Sequence, residues 1–131
     1  MQTTSRTLVN DTPAYVIVMR EALISQDLSL TIADHDPGAR VVFAANLRDA
    51  ETVVAGLTHI VMAFIIEGPK QFLQSDLSRA IRARGGRVVL LGDDAEEVGP
   101  TPDWDVLYRP FSTDEVLARL TRRSRPLLGA A

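Results

Sequence analysis

His59-Ile60-Val61-Met62-Ala63-Phe64-Ile65-Ile66 is a continuous apolar run rich in β-branched residues. Thr58 precedes it and Glu67-Gly68-Pro69 closes it. A run of that length between turn signals reads as a strand buried on both faces. Shorter runs of the same kind lie on either side in sequence, with helical patterns between them. That alternation makes it the middle strand of a parallel sheet. In such sheets, sites form at the carboxyl edge of the strands. Here that edge carries Ala63, Phe64, Ile65 and Ile66, with no carboxylate, hydroxyl or thiol before Glu67.

The chain has 131 residues, enough for one domain with a core that needs no disulfide or metal. It has no cysteine, which excludes disulfide frameworks, thiolate zinc sites and cysteine nucleophiles. Its two histidines, His35 and His59, are too few for a histidine-based metal cluster. They read as a helix-end and a strand-start residue. A formal charge of -3 carries no general nucleic-acid signal. Residues 1–13 lack the apolar core of a signal peptide, and no run approaches a membrane-spanning length. The expectation is a soluble, cytoplasmic protein: a disordered tail at 1–13, a domain at 14–124 and a tail at 125–131.

Outward from the central run, Ala14-Tyr15-Val16-Ile17-Val18-Met19 is the first strand. Residues 21–35 form a helix with Leu23, Ile24, Leu28 and Ile32 as its apolar stripe, stopped by Asp36-Pro37-Gly38. Arg40-Val41-Val42-Phe43-Ala44 is the second strand. Asn46 caps a helix with Asp49 in its first turn; it buries Ala50, Val53, Val54 and Leu57. Pro69 suits the first position of a third helix, which carries Phe72, Leu73, Leu77, Ala80 and Ile81 on one face and stops at Gly85-Gly86. Arg87-Val88-Val89-Leu90-Leu91 is the fourth strand. A short helical segment at 95–98 follows, broken by Gly99-Pro100. Asp105-Val106-Leu107-Tyr108 is the fifth strand. Ser112 and Glu115 form a capping box for a last helix that buries Val116, Leu117 and Leu120. Five β-α units with right-handed crossovers give an α/β three-layer sandwich, with 2-1-3-4-5 as the leading strand order.

Three segments resemble the receiver domains of the response-regulator family. Val16-Ile17-Val18-Met19-Arg20-Glu21-Ala22-Leu23-Ile24 is similar to the family's first strand and acidic turn. Residues 59–69 resemble the phosphoacceptor strand and its proline-containing loop. Tyr108-Arg109-Pro110-Phe111-Ser112 with Glu115-Val116-Leu117-Ala118-Arg119-Leu120 resembles the lysine-proline-phenylalanine turn and last helix, and is the most specific of the three. The resemblance covers residues 14–120 and implies a flavodoxin-like, CheY-like (βα)5 fold. It also carries to Arg109-Pro110 the cis peptide bond that this turn often contains.

The resemblance further implies a site of five parts: acidic residues that hold Mg²⁺, an aspartate nucleophile, a Ser or Thr, a lysine and a switch aromatic. This chain departs at each of them. The acidic turn is Met19-Arg20-Glu21. The phosphoacceptor position falls on Ala63 or Phe64, and no aspartate lies between Ala50 and Ser75. The hydroxyl position is Gly92, the lysine is Arg109 and the aromatic is Val106. A divalent cation needs several oxygen ligands, which Glu21 beside Arg20 does not supply. Without nucleophile and metal there is no in-line phosphoryl transfer to stabilise.

No catalytic residue, cofactor site or metal site is therefore expected. The expected function is that of a degenerate receiver: a protein-protein interaction module in bacterial two-component or phosphorelay signalling that works without phosphorylation. Its partner would be a histidine kinase, a phosphotransferase or another regulator, and it would act alone or as a homodimer. No nucleic acid or membrane partner is expected. A candidate interaction face comprises Asp93, Asp94, Trp104, Val106 and Tyr108, although Trp104 suits the core better. Arg20 either pairs with Glu21, Glu67 or Asp93 or is simply solvated, and Arg109 can fork onto a carboxylate. The alternative is a small-molecule sensor that uses an emptied apolar pocket at the strand ends. An enzyme ranks last, because no glycine-rich phosphate loop follows any strand.

Overall fold

The computed structural model describes residues 12–121. Five parallel strands form one sheet: β1 (Ala14–Val18), β2 (Arg40–Ala44), β3 (Ile60–Ile66), β4 (Arg87–Leu91) and β5 (Asp105–Val106). Their order is β2-β1-β3-β4-β5, as the sequence predicts. Among the described residues the helices are α1 (Ala22–His35), α2 (Leu47–Ala55), α3 (Pro69–Gln74), α4 (Asp76–Ala83), α5 (Asp93–Val98) and α6 (Thr113–Thr121). Residues 1–11 of the expected tail at 1–13, the end of the expected domain at 122–124 and the expected tail at 125–131 lie outside the described residues. Pro13, read from sequence as part of the tail, belongs to the fold: its carbonyl accepts from the Arg40 N–H at 2.9 Å.

The alternation of side chains along the strands divides the core in two. Val16, Val18, Ala63, Ile65, Val88, Leu90 and Val106 point one way and pack against α2, α3, α4 and α5. Tyr15, Ile17, Met62, Phe64, Val89 and Leu91 point the other way and meet Leu28 and Ile32 of α1 and Val116 and Leu120 of α6. A central strand must be apolar on both faces to sit between two helical layers. That is why β3 has no polar residue between Ile60 and Ile66.

Local signals hold at most element ends. The Asp49 N–H donates to Asn46 Oδ1 at 2.8 Å. The Ser112 N–H donates to Glu115 Oε1 at 2.8 Å, and the Glu115 N–H donates to Ser112 Oγ at 3.2 Å, closing the capping box. Pro69 opens α3. Gly85 has φ of +79° at the turn into β4. The Arg109-Pro110 bond is cis.

Three expectations need correction, and the core reading of Trp104 holds. The third predicted helix is two helices. Ser75 is extended, its hydroxyl donates to the Phe72 carbonyl at 2.6 Å, and it then caps α4 by accepting from the Ser78 N–H. A serine inside a helical pattern offers the backbone these competing bonds. The break shifts the helical phase, so Phe72, Leu77 and Ile81 are buried while Leu73 is 41% exposed. In α1 the stripe is Ile24, Leu28 and Ile32, at steps of four, and Leu23 is 78% exposed. Strand β5 ends at Val106 rather than Tyr108, although the Leu107 N–H still bonds the Leu90 carbonyl at 3.1 Å. Trp104 lies in the core at 8% exposure, its indole N–H donating to the Gly99 carbonyl at 3.1 Å.

Candidate functional site

The carboxyl edge of the sheet is where this architecture places sites. Four chain segments reach it: Met19-Arg20-Glu21 after β1, Glu67-Gly68-Pro69 after β3, Gly92-Asp93-Asp94 after β4 and Leu107 to Pro110 after β5. Its floor is apolar. Met19 is 8% exposed, and Ile65 and Leu91 are fully buried. Ile65 pairs with Val18 on one side and Leu90 on the other, and Ile66 pairs with Leu91.

The register shows where the two residues read as the phosphoacceptor position lie. Ala63 and Phe64 are opposite Val16 and Ile17, in the interior of β3 and fully buried. The end of the strand is Ile65 and Ile66. An unbroken apolar run carries no internal mark of where its edge lies. The substance is unchanged, because the true edge is as apolar as the assumed one.

Gly92, read from sequence as the hydroxyl position, has φ of +113° and ψ of 172°. Glycine alone adopts that conformation without strain. The missing hydroxyl is thus tied to the backbone of the β4–α5 turn. Gly68 is the residue before α3. A side-chain carbon there would lie 2.5 Å from Gln71 Oε1 and 3.1 Å from Asp94 Oδ2. The loops after β3 and β4 therefore meet closely over the edge.

The charged residues form one connected group. The Arg109 guanidinium donates through Nε to Glu96 Oε2 at 2.8 Å and through Nη2 to Asp93 Oδ1. The Arg109 backbone N–H reaches the same Glu96 oxygen at 3.1 Å. The side-chain bond from Arg109, then its backbone N–H, hold the Glu96 carboxyl below its ordinary range. Glu96 and then Asp93 raise Arg109 in turn. The Arg109 cation is thus neutralised from within, and two residues of the acidic cluster are spent on it. Arg20 and Glu21 are exposed, and Arg20 enters none of the ion pairs among the described residues. Arg20 does not pair with Glu21, Glu67 or Asp93, in keeping with the reading of a solvated arginine.

This latch has a pH signature. A carboxyl held below its ordinary range adds stability above its unfolded pKa, and that contribution is lost as pH falls through the lowered folded value. In Arg109→Met, the Glu96 carboxyl should titrate higher than in the parent protein. Carbon-detected NMR of the Glu96 side chain reads this directly, and an unchanged titration would contradict the latch. Both partners face solvent, so the global stability change should be small.

The candidate interaction face is only partly available. Val106 is fully buried and Trp104 nearly so, and neither offers surface to a partner. Sequence placed them by strand position, which says nothing about which layer covers them. Asp93 is exposed but engaged by Arg109. Asp94 and Tyr108 remain, with Tyr108 43% exposed. Sequence reading missed Val98, which is 58% exposed at the end of α5. The Tyr108 hydroxyl lies 3.5 Å from where a side-chain carbon on Gly99, the residue after Val98, would be. Among the described residues no group of His, Asp and Glu side chains is placed to hold a metal ion. No helix among them is long and apolar enough to cross a membrane.

No protein-family model and no curated protein matches the chain. Solved structures do. A CheY-like response regulator receiver domain protein from Methanospirillum hungatei JF-1 superposes with a TM-score of 0.58 at 17% identity, covering 87% of this chain and 96% of that one. A response regulator receiver protein from Sinorhizobium medicae WSM419 gives 0.58 at 15% identity, covering 88% and 96%. SdrG from Pseudomonas melonis Fr1, solved in its BeF3-activated conformation, gives 0.57 at 23% identity, covering 82% and 92%. Strand order, helix placement and these superpositions agree: the chain has the fold of response-regulator receiver domains.

Proposed function

We propose that this chain is a regulatory interaction module of two-component signalling that works without aspartyl phosphate, in the cytoplasm, and is not an enzyme. The receiver fold of the structural neighbours supports the signalling context. One observation carries the rest. At the carboxyl edge, Met19, Ile65 and Leu91 are packed apolar residues where metal ligands and a nucleophile would be needed, and Arg109 is committed to Glu96 and Asp93. Phosphoryl transfer is driven by positioned charge, and Arg109, the cation at this edge, is already engaged. The same packing weighs against a small-molecule sensor, whose motivation was an open apolar pocket.

Output would then come from a surface rather than from chemistry. Tyr108, Val98 and Asp94 are exposed aromatic, aliphatic and acidic side chains on the segments that carry the latch, residue types that can anchor contacts. A histidine kinase, phosphotransferase or regulator would be held there. Incubation with Mg²⁺ and a small phosphodonor, followed by intact mass spectrometry, tests the reading. The mass should stay unchanged, and a gain of one phosphoryl group would overturn it. Binding of a cognate kinase or regulator should be equal with and without the donor. It should weaken about tenfold or more in Tyr108→Ala/Val98→Ala.

A further inference from the structure

The two edges of the sheet are finished differently. At the β5 edge, Asp105 and Leu107 face β4, which leaves the backbone of Val106 pointing outward. Both of its groups are already satisfied. The Val106 N–H donates to Asp105 Oδ1 at 2.7 Å, and Arg119 Nη2 donates to the Val106 carbonyl at 2.9 Å. Asp105 and Arg119 also pair with each other at 3.5 Å. Side chains thus close this edge to another strand.

The β2 edge has no such closure. The Arg40 N–H bonds Pro13, and the Ala44 carbonyl accepts from the Met19 N–H at 3.0 Å, so Arg40, Val42 and Ala44 face β1. Val41 and Phe43 present their N–H and carbonyl groups outward, with no partner among the described residues. Phe43 is 50% exposed, and Val41 and Val42 are only half-buried, so neither helical layer shields the edge. The strand is β-branched and aromatic and contains no proline or glycine.

From this contrast we infer that β2 is a strand-pairing site for a second copy of this chain, joined antiparallel about a two-fold axis at Val42. This is independent of how the carboxyl edge functions. In that register Val41 of each copy opposes Phe43 of the other, and each such pair exchanges both backbone bonds, about four in all. Their side chains lie on one face, setting an aromatic ring against a β-branched residue across the junction. Arg40 is the strand's sole charge and falls opposite Ala44 at each end, so no like charges meet. The same edge serves both copies, which makes the contact isologous. Because β5 is closed, pairing stops at two copies instead of growing into a fibre. A single short strand pair is a small interface, so the dissociation constant should be on the order of tens of micromolar.

Sedimentation equilibrium of the whole chain, from about 1 μM to about 1 mM, tests this. The average mass should rise from 14.3 kDa toward twice that value. Phe43→Lys should weaken association at least tenfold, whereas Leu30→Lys, on exposed α1 surface, should leave it intact. Amide hydrogen exchange of the parent protein supplies a readout that needs no variant. Protection at Val41 and Phe43 should increase with protein concentration. A monomer at 1 mM, a dimer indifferent to Phe43→Lys, one lost in Leu30→Lys, or species larger than a dimer would each overturn the inference. So would protection at Val41 and Phe43 that does not depend on concentration.

Discussion

Ile65→Asp should destabilise the protein by about 3–5 kcal/mol and should not confer phosphorylation. Ile65 is fully buried between Val18 and Leu90, at the position a phosphoacceptor would occupy if the strand end were a reactive edge. Removing a packed isoleucine side chain costs about 2–5 kcal/mol. Leaving a buried carboxyl without partners costs about 1–3 kcal/mol more, partly offset by local relaxation. Burial raises the pKa of the new carboxyl, because the charged form is disfavoured away from water. The extra loss is therefore small at pH below the ordinary carboxylate range and grows as pH rises above it. Urea unfolding at acid and neutral pH measures both parts. Near-neutral stability at pH 7 would mean that the edge is a hydrated pocket, contrary to the packed floor described above. Phosphorylation would still be absent, because Gly92 and Met19 supply neither hydroxyl nor metal ligand.

Phe64→Ala should cost about 3–5 kcal/mol, the usual range for deleting a buried aromatic ring. Phe64 is fully buried in the middle of β3, opposite Ile17 and Val89. It fills the layer beneath α1 and α6. For a domain of this size the melting temperature should fall by roughly 12–20 °C. Leu23→Ala, at a residue 78% exposed, should change stability by less than about 0.5 kcal/mol. Thermal unfolding of the two variants side by side separates the readings of these apolar residues. A loss at Leu23 comparable to that at Phe64 would contradict the burial assigned to α1.

The strands and their order were legible because the relevant signals are local and periodic. The run at 60–66 must be a two-faced strand, and Asn46, Pro69, Gly85 and Ser112 mark element ends by chemistry that needs no tertiary context. What escaped depends on which residues face each other. Ser75 looks neutral in a helical pattern, and only its bond to the Phe72 carbonyl shows that it ends one helix and begins another. The bonds from Arg109 to Glu96 and Asp93 span 13 and 16 positions and exist only once β4 and β5 are adjacent. The burial of Trp104 and Val106 follows from a two-residue strand too short to display a period. The Gly92 conformation has no sequence signature beyond the glycine itself. The chemical reading was more robust than the positional one. The acceptor position was read at Ala63 or Phe64, interior to β3, and each residue from there to Ile66 is apolar.

The most direct test of phosphate-independent action is an amide-resolved NMR spectrum recorded with and without Mg²⁺ plus beryllofluoride, a mimic of aspartyl phosphate. The account predicts no shift at Met19, Arg20, Ile65, Ile66, Gly92 or Arg109. Shifts clustered at those residues would mean that the edge still receives a metal and an anion, and would contradict it.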